Sequence, residues 1–161
     1  MYYCFFDTPI GELLLAGDVD RLSMIGFPKG AMRRDPEADW IYNEQPVETV
    51  CEQLGEYFSG QRKEFDLPLK LSCSKFQISV LEALLQIPYG ETMSYSAIAK
   101  QIGNPKALRA VGAANGRNPI PIVVPCHRVI GSGGDLTGFG GGLDTKEALL
   151  RLEAENSQNL L

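Results

Sequence analysis

Histidine is nearly absent from this chain of 161 residues, and the only one, His127, directly follows a cysteine. That scarcity excludes a zinc site built from several histidines, and the four cysteines (Cys4, Cys51, Cys73, Cys126) contain no CxxC pair for an all-cysteine site. No metal and no cofactor are expected. The wide cysteine spacing also gives no disulfide framework, so all four read as free thiols. No apolar run approaches the roughly 18 residues of a membrane span. The opening MYYCFFDTPI has neither a basic region nor a cleavage site, so a cytoplasmic protein without membrane attachment is expected. Positive charge is short as well: the net charge is −5, which argues at first against a polyanionic partner.

The distribution of charge reverses that argument. From Thr92 to Gly134 the chain has five basic residues (Lys100, Lys106, Arg109, Arg117, Arg128) and no acidic one. Residues 1–73 carry seven basic side chains against thirteen acidic. A polyanion is repelled by the first half and accepted by the later window. The length and the 44% hydrophobic content suit one large or two small soluble domains.

Three short apolar runs, YYCFF, ELLLAG and RLSMIGF, are separated by the turn signals Thr8-Pro9-Ile10-Gly11 and Gly17-Asp18-Val19-Asp20. This pattern predicts an antiparallel meander. A polar stretch from Lys29 to Asp39, containing Arg33-Arg34, follows. From Pro46 to Ser59 the apolar residues Val47, Val50, Cys51, Leu54, Tyr57 and Phe58 recur at helical spacing, with Gly60 as terminator. The pattern loosens between Gly60 and Ser74, which places a boundary there: an N-terminal α/β domain over 1–66 and a mainly helical domain over 74–161.

In the second half Ser74 is placed to cap a helix with the stripe Phe76, Val80, Leu81, Leu84 and Leu85, ended by Pro88-Tyr89-Gly90. SYSAIAKQIG predicts a short helix with Ile98 and Ile102 on one face and Gly103 at its end. Asn104 is expected to cap the next helix, with Pro105 first and Leu108 and Val111 facing inward. Two short helices joined by a Gly-Asn turn make a helix-turn-helix. Arg109, Ala110, Gly112 and Ala113 fall on or beside its outward face, small enough for close approach to a nucleic acid, with one arginine to reach between bases. Three prolines in Asn118 to Pro125 forbid a regular helix, and the segment reads as stiff and extended. It delivers Pro125-Cys126-His127-Arg128. A glycine-rich loop follows, then a final helix from near Asp144 with Ala148, Leu149 and Leu152 inward and Glu153 presented.

A cysteine is a useful nucleophile only as the thiolate, so something must take its proton. His127 is the one histidine that can, directly or through a water, and a carboxylate behind it would orient the ring. A small buried core residue is the competing account of Cys126 from the residues alone.

Pro-Cys-His-Arg-Val (125–129), Arg-Ala-Val-Gly-x-Ala-Asn (109–115), Asn-Pro (118–119) and Gly-Gly-Leu followed by Lys-Glu-x-Leu-Leu (141–150) together resemble the O6-alkylguanine-DNA alkyltransferases, also called methylated-DNA–protein-cysteine methyltransferases. The resemblance runs nearly continuously from about Phe76 to Glu153; the N-terminal half matches in outline, including Thr-Pro-Ile-Gly. It implies a monomer that takes an alkyl group from O6-alkylguanine in double-stranded DNA, reached from the minor groove, and keeps it on Cys126. It further implies that His127 receives the thiol proton through a water, that Glu153 orients His127, and that Tyr95 donates to the extruded guanine. Arg109 is implied to fill the vacated stack and Asn118 to brace the segment before Cys126. Ser96, Asn104 and Ser132 match positions that touch the DNA backbone. The chain departs from the family where Phe139 and Gly140 replace a frequent tyrosine and serine, which implies a changed affinity or alkyl range. It also lacks the histidines of zinc-bearing members. A cysteine hydrolase with a Cys-His-Glu triad, a damage-flagging DNA-binding module and a fragment of a transcription regulator are the rival functions. The first predicts turnover and indifference to DNA, and relatives of the second kind lack the acceptor cysteine.

Overall fold

The computed structural model describes residues 1–157, so positions 158–161 of the expected second domain lie outside the described residues. The three N-terminal apolar runs form β1 (Tyr2–Thr8), β2 (Gly11–Gly17) and β3 (Leu22–Gly26), an antiparallel meander. The β1–β2 hairpin pairs along its whole length, from Tyr2 opposite Gly17 to Thr8 opposite Gly11. Its turn rests on Gly11, whose φ of +106° disfavours any side chain, and on Thr8 Oγ1 donating to Gly11 O at 2.7 Å. A two-residue strand, β4 (Ile41–Tyr42), adds in parallel to the outer edge of β1, so the order is β3-β2-β1-β4.

One turn of 3-10 helix (Gln45–Val47), with Pro46 at its start, leads into α1 (Glu48–Phe58), and Gly60 follows at φ +82°. Val50, Leu54 and Tyr57 of α1 are buried. The stretch between Gly60 and Ser74 has no helix, yet it is held to the sheet. Leu22 N donates to Pro68 O at 2.9 Å, Lys70 N donates to Leu22 O at 2.8 Å, and the Gln53 side chain bonds both backbone groups of Asp66.

Ser74 caps α2 (Lys75–Leu85) by accepting from Gln77 N. The inward face of α2 is Val80, Leu81, Ala83 and Leu84; Leu85, expected in that stripe, lies exposed at its edge. β5 (Met93–Ser94) precedes α3 (Tyr95–Gln101), which is capped by Ser94 Oγ accepting from Ala97 N. α4 (Leu108–Gly116) is the second helix of the expected pair, with Gly103 at φ +81° in the turn.

Here the structure corrects the sequence expectation. Asn104 and Pro105 do not open α4: Ala107 N donates to Asn104 O in a separate turn, and the first helical bond runs from Val111 N to Ala107 O. The helix therefore starts three residues later than Pro105 suggested, Ala107 is its uncapped first neighbour, and Leu108 is exposed.

The segment 118–125 is also not extended. It folds back on itself, with Val124 N donating to Ile120 O and Ile122 at φ +74°. Cys126–Arg128 then make one turn of 3-10 helix, and β6 (Val129–Ile130) pairs in parallel with β5, tying the cysteine segment to the start of α3. α5 (Leu143–Ser157) closes the fold. Its buried stripe is Thr145, Lys146, Leu149 and Glu153; Ala148, expected inside, is exposed.

Both halves feed one apolar core, in which Leu13, Leu15 and Leu54 join Leu81, Leu84, Ile98 and Val124. At about 1.5–3 kcal/mol per fully buried aliphatic side chain, this shared core is what holds the site rigid.

Candidate active site

A 3-10 turn advances about three residues per turn, so consecutive side chains fan out in different directions. Cys126, His127 and Arg128 occupy such a turn, all three buried. His127 and Arg128 converge on Glu153 from α5. His127 Nε2 lies 2.7 Å from Glu153 Oε2, while Arg128 donates from Nε to Oε1 at 2.7 Å and from Nη2 to Oε2 at 3.0 Å. Arg128 Nη1 reaches Ile87 O at 2.7 Å. Tyr57 of α1 adds an O–H donor to Glu153 Oε2 at 2.7 Å, and Gly90 N donates to Oε1 at 3.3 Å.

Burial pushes the Glu153 carboxyl up, but the His127 and Arg128 donors outweigh it and hold the pKa at about 2. An ionised Glu153 fixes the His127 tautomer with its proton on Nε2. The other ring nitrogen, Nδ1, is then the acceptor, and it is buried without a protein partner among the described residues. Burial holds the His127 pKa below its ordinary value, against the pull of Glu153, so the ring is held neutral.

Cys126 is fully buried, and burial pushes its thiol up to about 11. Opposing influences are already in place: the Asn118 side chain, the charge of Lys146, and the backbone N–H groups of Cys126 and His127. Lys146 is itself buried, donates to Val129 O at 2.7 Å and to Leu136 O, and is lowered by that burial to about 8. Asn118 is buried, its Nδ2 donating to Val124 O at 2.8 Å and its Oδ1 accepting from Ile120 N at 3.0 Å.

A cavity of about 240 Å³ opens beside this cluster, walled by Tyr95, Gly112, Asn115, Met32 and Phe139. Asn115 Nδ2 reaches the Cys126 carbonyl at 3.4 Å, so the cavity adjoins the cysteine turn. Tyr95 OH lies 3.2 Å from Thr137 Oγ1. On the surface around the mouth, Arg109, Ala110 and Ala113 are exposed and Gly112 half-buried, all on α4. Ser96 is half-buried on α3, Asn104 is exposed in the turn, and Ser132 is exposed on the glycine-rich loop.

Of the five basic residues in the acid-free window, four are exposed, but Arg128 is buried against Glu153 and unavailable to a polyanion. Sequence reasoning missed four participants. Arg128 and Lys146 stand inside the matched motifs, and Lys146 lies two helical turns before Glu153, on the same face. Tyr57 and Met32 come from the other half of the chain and carry no local signal. Among the described residues no group of three or more His, Cys, Asp or Glu side chains is placed to hold a metal ion.

The fold and site together define a two-part α/β protein with a helix-turn-helix and a buried cysteine backed by a histidine–carboxylate pair. Two family models match the chain: 6-O-methylguanine DNA methyltransferase, ribonuclease-like domain, over residues 1–71, and 6-O-methylguanine DNA methyltransferase, DNA binding domain, over residues 75–155. The chain is 54% identical over 153 residues to a Methanosarcina acetivorans protein named methylated-DNA–protein-cysteine methyltransferase, covering 95% of this chain and 98% of that one. It is 52% identical to a protein of the same name from Mycolicibacterium paratuberculosis, covering 96% and 93%. The structure of Mycobacterium tuberculosis OGT in complex with DNA superposes with a TM-score of 0.91 at 47% identity, covering 97% of this chain and 94% of that one. The chain belongs to the 6-O-methylguanine DNA methyltransferase family.

Proposed function

We propose that this chain repairs O6-alkylguanine in double-stranded DNA by moving the alkyl group irreversibly onto Cys126, once per molecule, acting as a cytoplasmic monomer. O4-alkylthymine, which presents the same alkyl–oxygen bond, is a second lesion within reach of the same chemistry. The observation that carries the proposal is the buried His127–Glu153 pair next in the chain to the fully buried Cys126, with a cavity walled by the helix-turn-helix adjoining that turn through Asn115. The division of labour follows the two parts, 1–66 and 74–161: the second holds the chemistry and the DNA-facing helices, and the first buttresses them.

A thiolate cannot reach an alkyl carbon inside a stacked duplex, so the nucleotide must swing out, at about a few kcal/mol of lost stacking and pairing. The small residues Ala110, Gly112 and Ala113 let α4 approach the minor groove, and Arg109 enters the stack behind the extruded base. Ser96, Asn104 and Ser132 hold the backbone. With the base in the cavity, the Cys126 proton passes through one water to His127 Nδ1, and the resulting imidazolium is stabilised by Glu153. Sulfur attacks the alkyl carbon; the carbon–O6 bond breaks, and its electron pair goes to guanine. Tyr95 donates to the ring and offsets the developing negative charge. Asn118 keeps the turn, and hence the sulfur, in place. The product is a thioether with no labile bond for water to cleave, which is why one chain repairs one lesion.

Intact-protein mass spectrometry after incubation with a duplex containing one O6-methylguanine tests this directly. The expected result is a gain of one methyl group, mapped to the peptide carrying Cys126 and saturating at one per chain. Tight binding without a mass change would leave a damage-flagging module instead.

A further inference from the structure

We propose that Met32, in the N-terminal half, sets the size of alkyl group that the Cys126 site accepts. The inference rests on the cavity beside Cys126 being the pocket for the extruded base. Met32 lies on the loop between β3 and β4, a segment whose role in the chemistry is otherwise unassigned. That loop is docked on the glycine-rich segment opposite α4. Met32 N donates to Gly140 O at 2.9 Å, Phe27 N donates to Met32 O at 3.0 Å, and the Phe27 and Phe139 rings meet edge-on at 5.6 Å. Gly30, at φ +78°, sits so close that a side chain there would collide with Gly140 O.

Met32 is 1% exposed and lines the cavity together with Asn115 and Gly112 of α4. It also occupies the volume that residue 140 would otherwise fill: a β-carbon added to Gly140 would collide with Met32 Cγ and lie 2.9 Å from its Sδ. One methionine side chain therefore stands in the space of a side chain at 140, and it is supplied from across the fold. The whole cavity, at about 240 Å³, is smaller than the ~300–1,000 Å³ of ordinary small-molecule pockets. A purine takes up a large share of that space, so its alkyl substituent must seat against the walls. Of those walls, Gly112 and Asn115 belong to a packed helix and Phe139 is pinned by Phe27, whereas methionine has three rotatable bonds and a soft thioether. Met32 yields to a methyl or ethyl group by changing rotamer and stops a bulky aryl group.

The test is the single-turnover rate of the full chain on two duplexes, one carrying O6-methylguanine and one O6-benzylguanine, for wild type, Met32→Ala, Met32→Val and Met32→Phe. Removing wall volume is expected to raise the benzyl-to-methyl rate ratio by about tenfold in Met32→Ala, the scale set by one or two methylenes in an apolar pocket. The ratio should order as Val above wild type above Phe, which keeps the test decisive where the alanine variant does not fold. A ratio that ignores side-chain volume, or equal losses on both lesions, would overturn the inference while leaving the repair activity standing. A wild-type chain that transfers neither group would overturn the base pocket and this inference together.

Discussion

Glu153 receives hydrogen bonds from His127, Arg128, Tyr57 and Gly90 while nearly excluded from solvent. A buried carboxylate with that many donors is stable only because every partner is present. Removing its charge strands Arg128, which is buried and has no other carboxylate partner among the described residues. Glu153→Gln is expected to destabilise the chain by about 3–5 kcal/mol, the scale of breaking one side of a buried ion pair, read from urea denaturation. The same group gives a pH dependence. Its folded pKa of about 2 lies below its ordinary 4.5, so the unfolded chain binds more protons between those values. The stabilisation is complete above about pH 4.5 and is lost as the pH falls toward 2. His127, lowered by burial, acts in the same direction, because the unfolded ring takes a proton below its ordinary 6.5 while the folded one resists. Urea midpoints measured from pH 7 to 3 should therefore fall in two stages. The lower stage should vanish in Glu153→Gln; a wild-type midpoint that is flat from pH 4.5 to 3 would contradict an ionised, paired Glu153.

The turn from Asn118 to Pro125 aims the cysteine, and it is under load. Ile122 is a buried β-branched residue at φ +74°, a backbone conformation that disfavours such side chains by about 1–3 kcal/mol. Asn118 holds the turn shut with one bond to Ile120 N and one to Val124 O. Asn118→Ala leaves Ile120 N buried and unpaired, while Val124 O keeps only its bond from Cys126 N, for an expected loss of about 1–3 kcal/mol in stability. Methyl transfer to Cys126 should slow by more than the fraction unfolded explains, as measured by single-turnover mass spectrometry below the melting transition. A rate unchanged in folded protein would reduce Asn118 to a purely structural role. The sequence was readable here only in part. Its three prolines exclude a helix, but proline fixes φ without saying whether a segment runs straight or folds back, so the sequence alone does not reveal the turn. The meander, α1, the Ser74 cap and the α3–α4 pair were legible because apolar spacing and turn residues signal them locally. The start of α4 was not, since a proline after asparagine suits a helix opening and a tight turn equally. That Lys146 and Glu153 are both buried on α5 is not legible in the residues, because charged side chains read by polarity belong to a solvent face, although the resemblance does single out Glu153. Only the partners brought by the fold reveal them as interior.

At the scale of the whole molecule, charge is divided as unevenly as function. The net charge is −5, yet Lys100, Lys106, Arg109 and Arg117 are exposed on or beside α3 and α4, in a window without an acidic residue. Arg128, the fifth basic residue there, is spent on Glu153 and adds nothing to the surface. Arg109, if it enters the base stack, neutralises no phosphate, which leaves three cations for the backbone. Each phosphate contact to duplex DNA contributes about −0.9 to the slope of log K against log salt, so a slope near −3 is expected. That is shallow for a DNA-binding protein, and it follows from the small number of exposed cations on this face. Fluorescence anisotropy of a labelled duplex between low and moderate salt measures it, with Lys106→Ala expected to remove about one unit. A slope steeper than about −6 would mean that cations outside this face reach the DNA, with Arg33 and Arg34 on the loop carrying Met32 the first to examine. A slope near zero would remove the α3–α4 surface as the phosphate-binding face, and with it the path by which a lesion reaches Cys126.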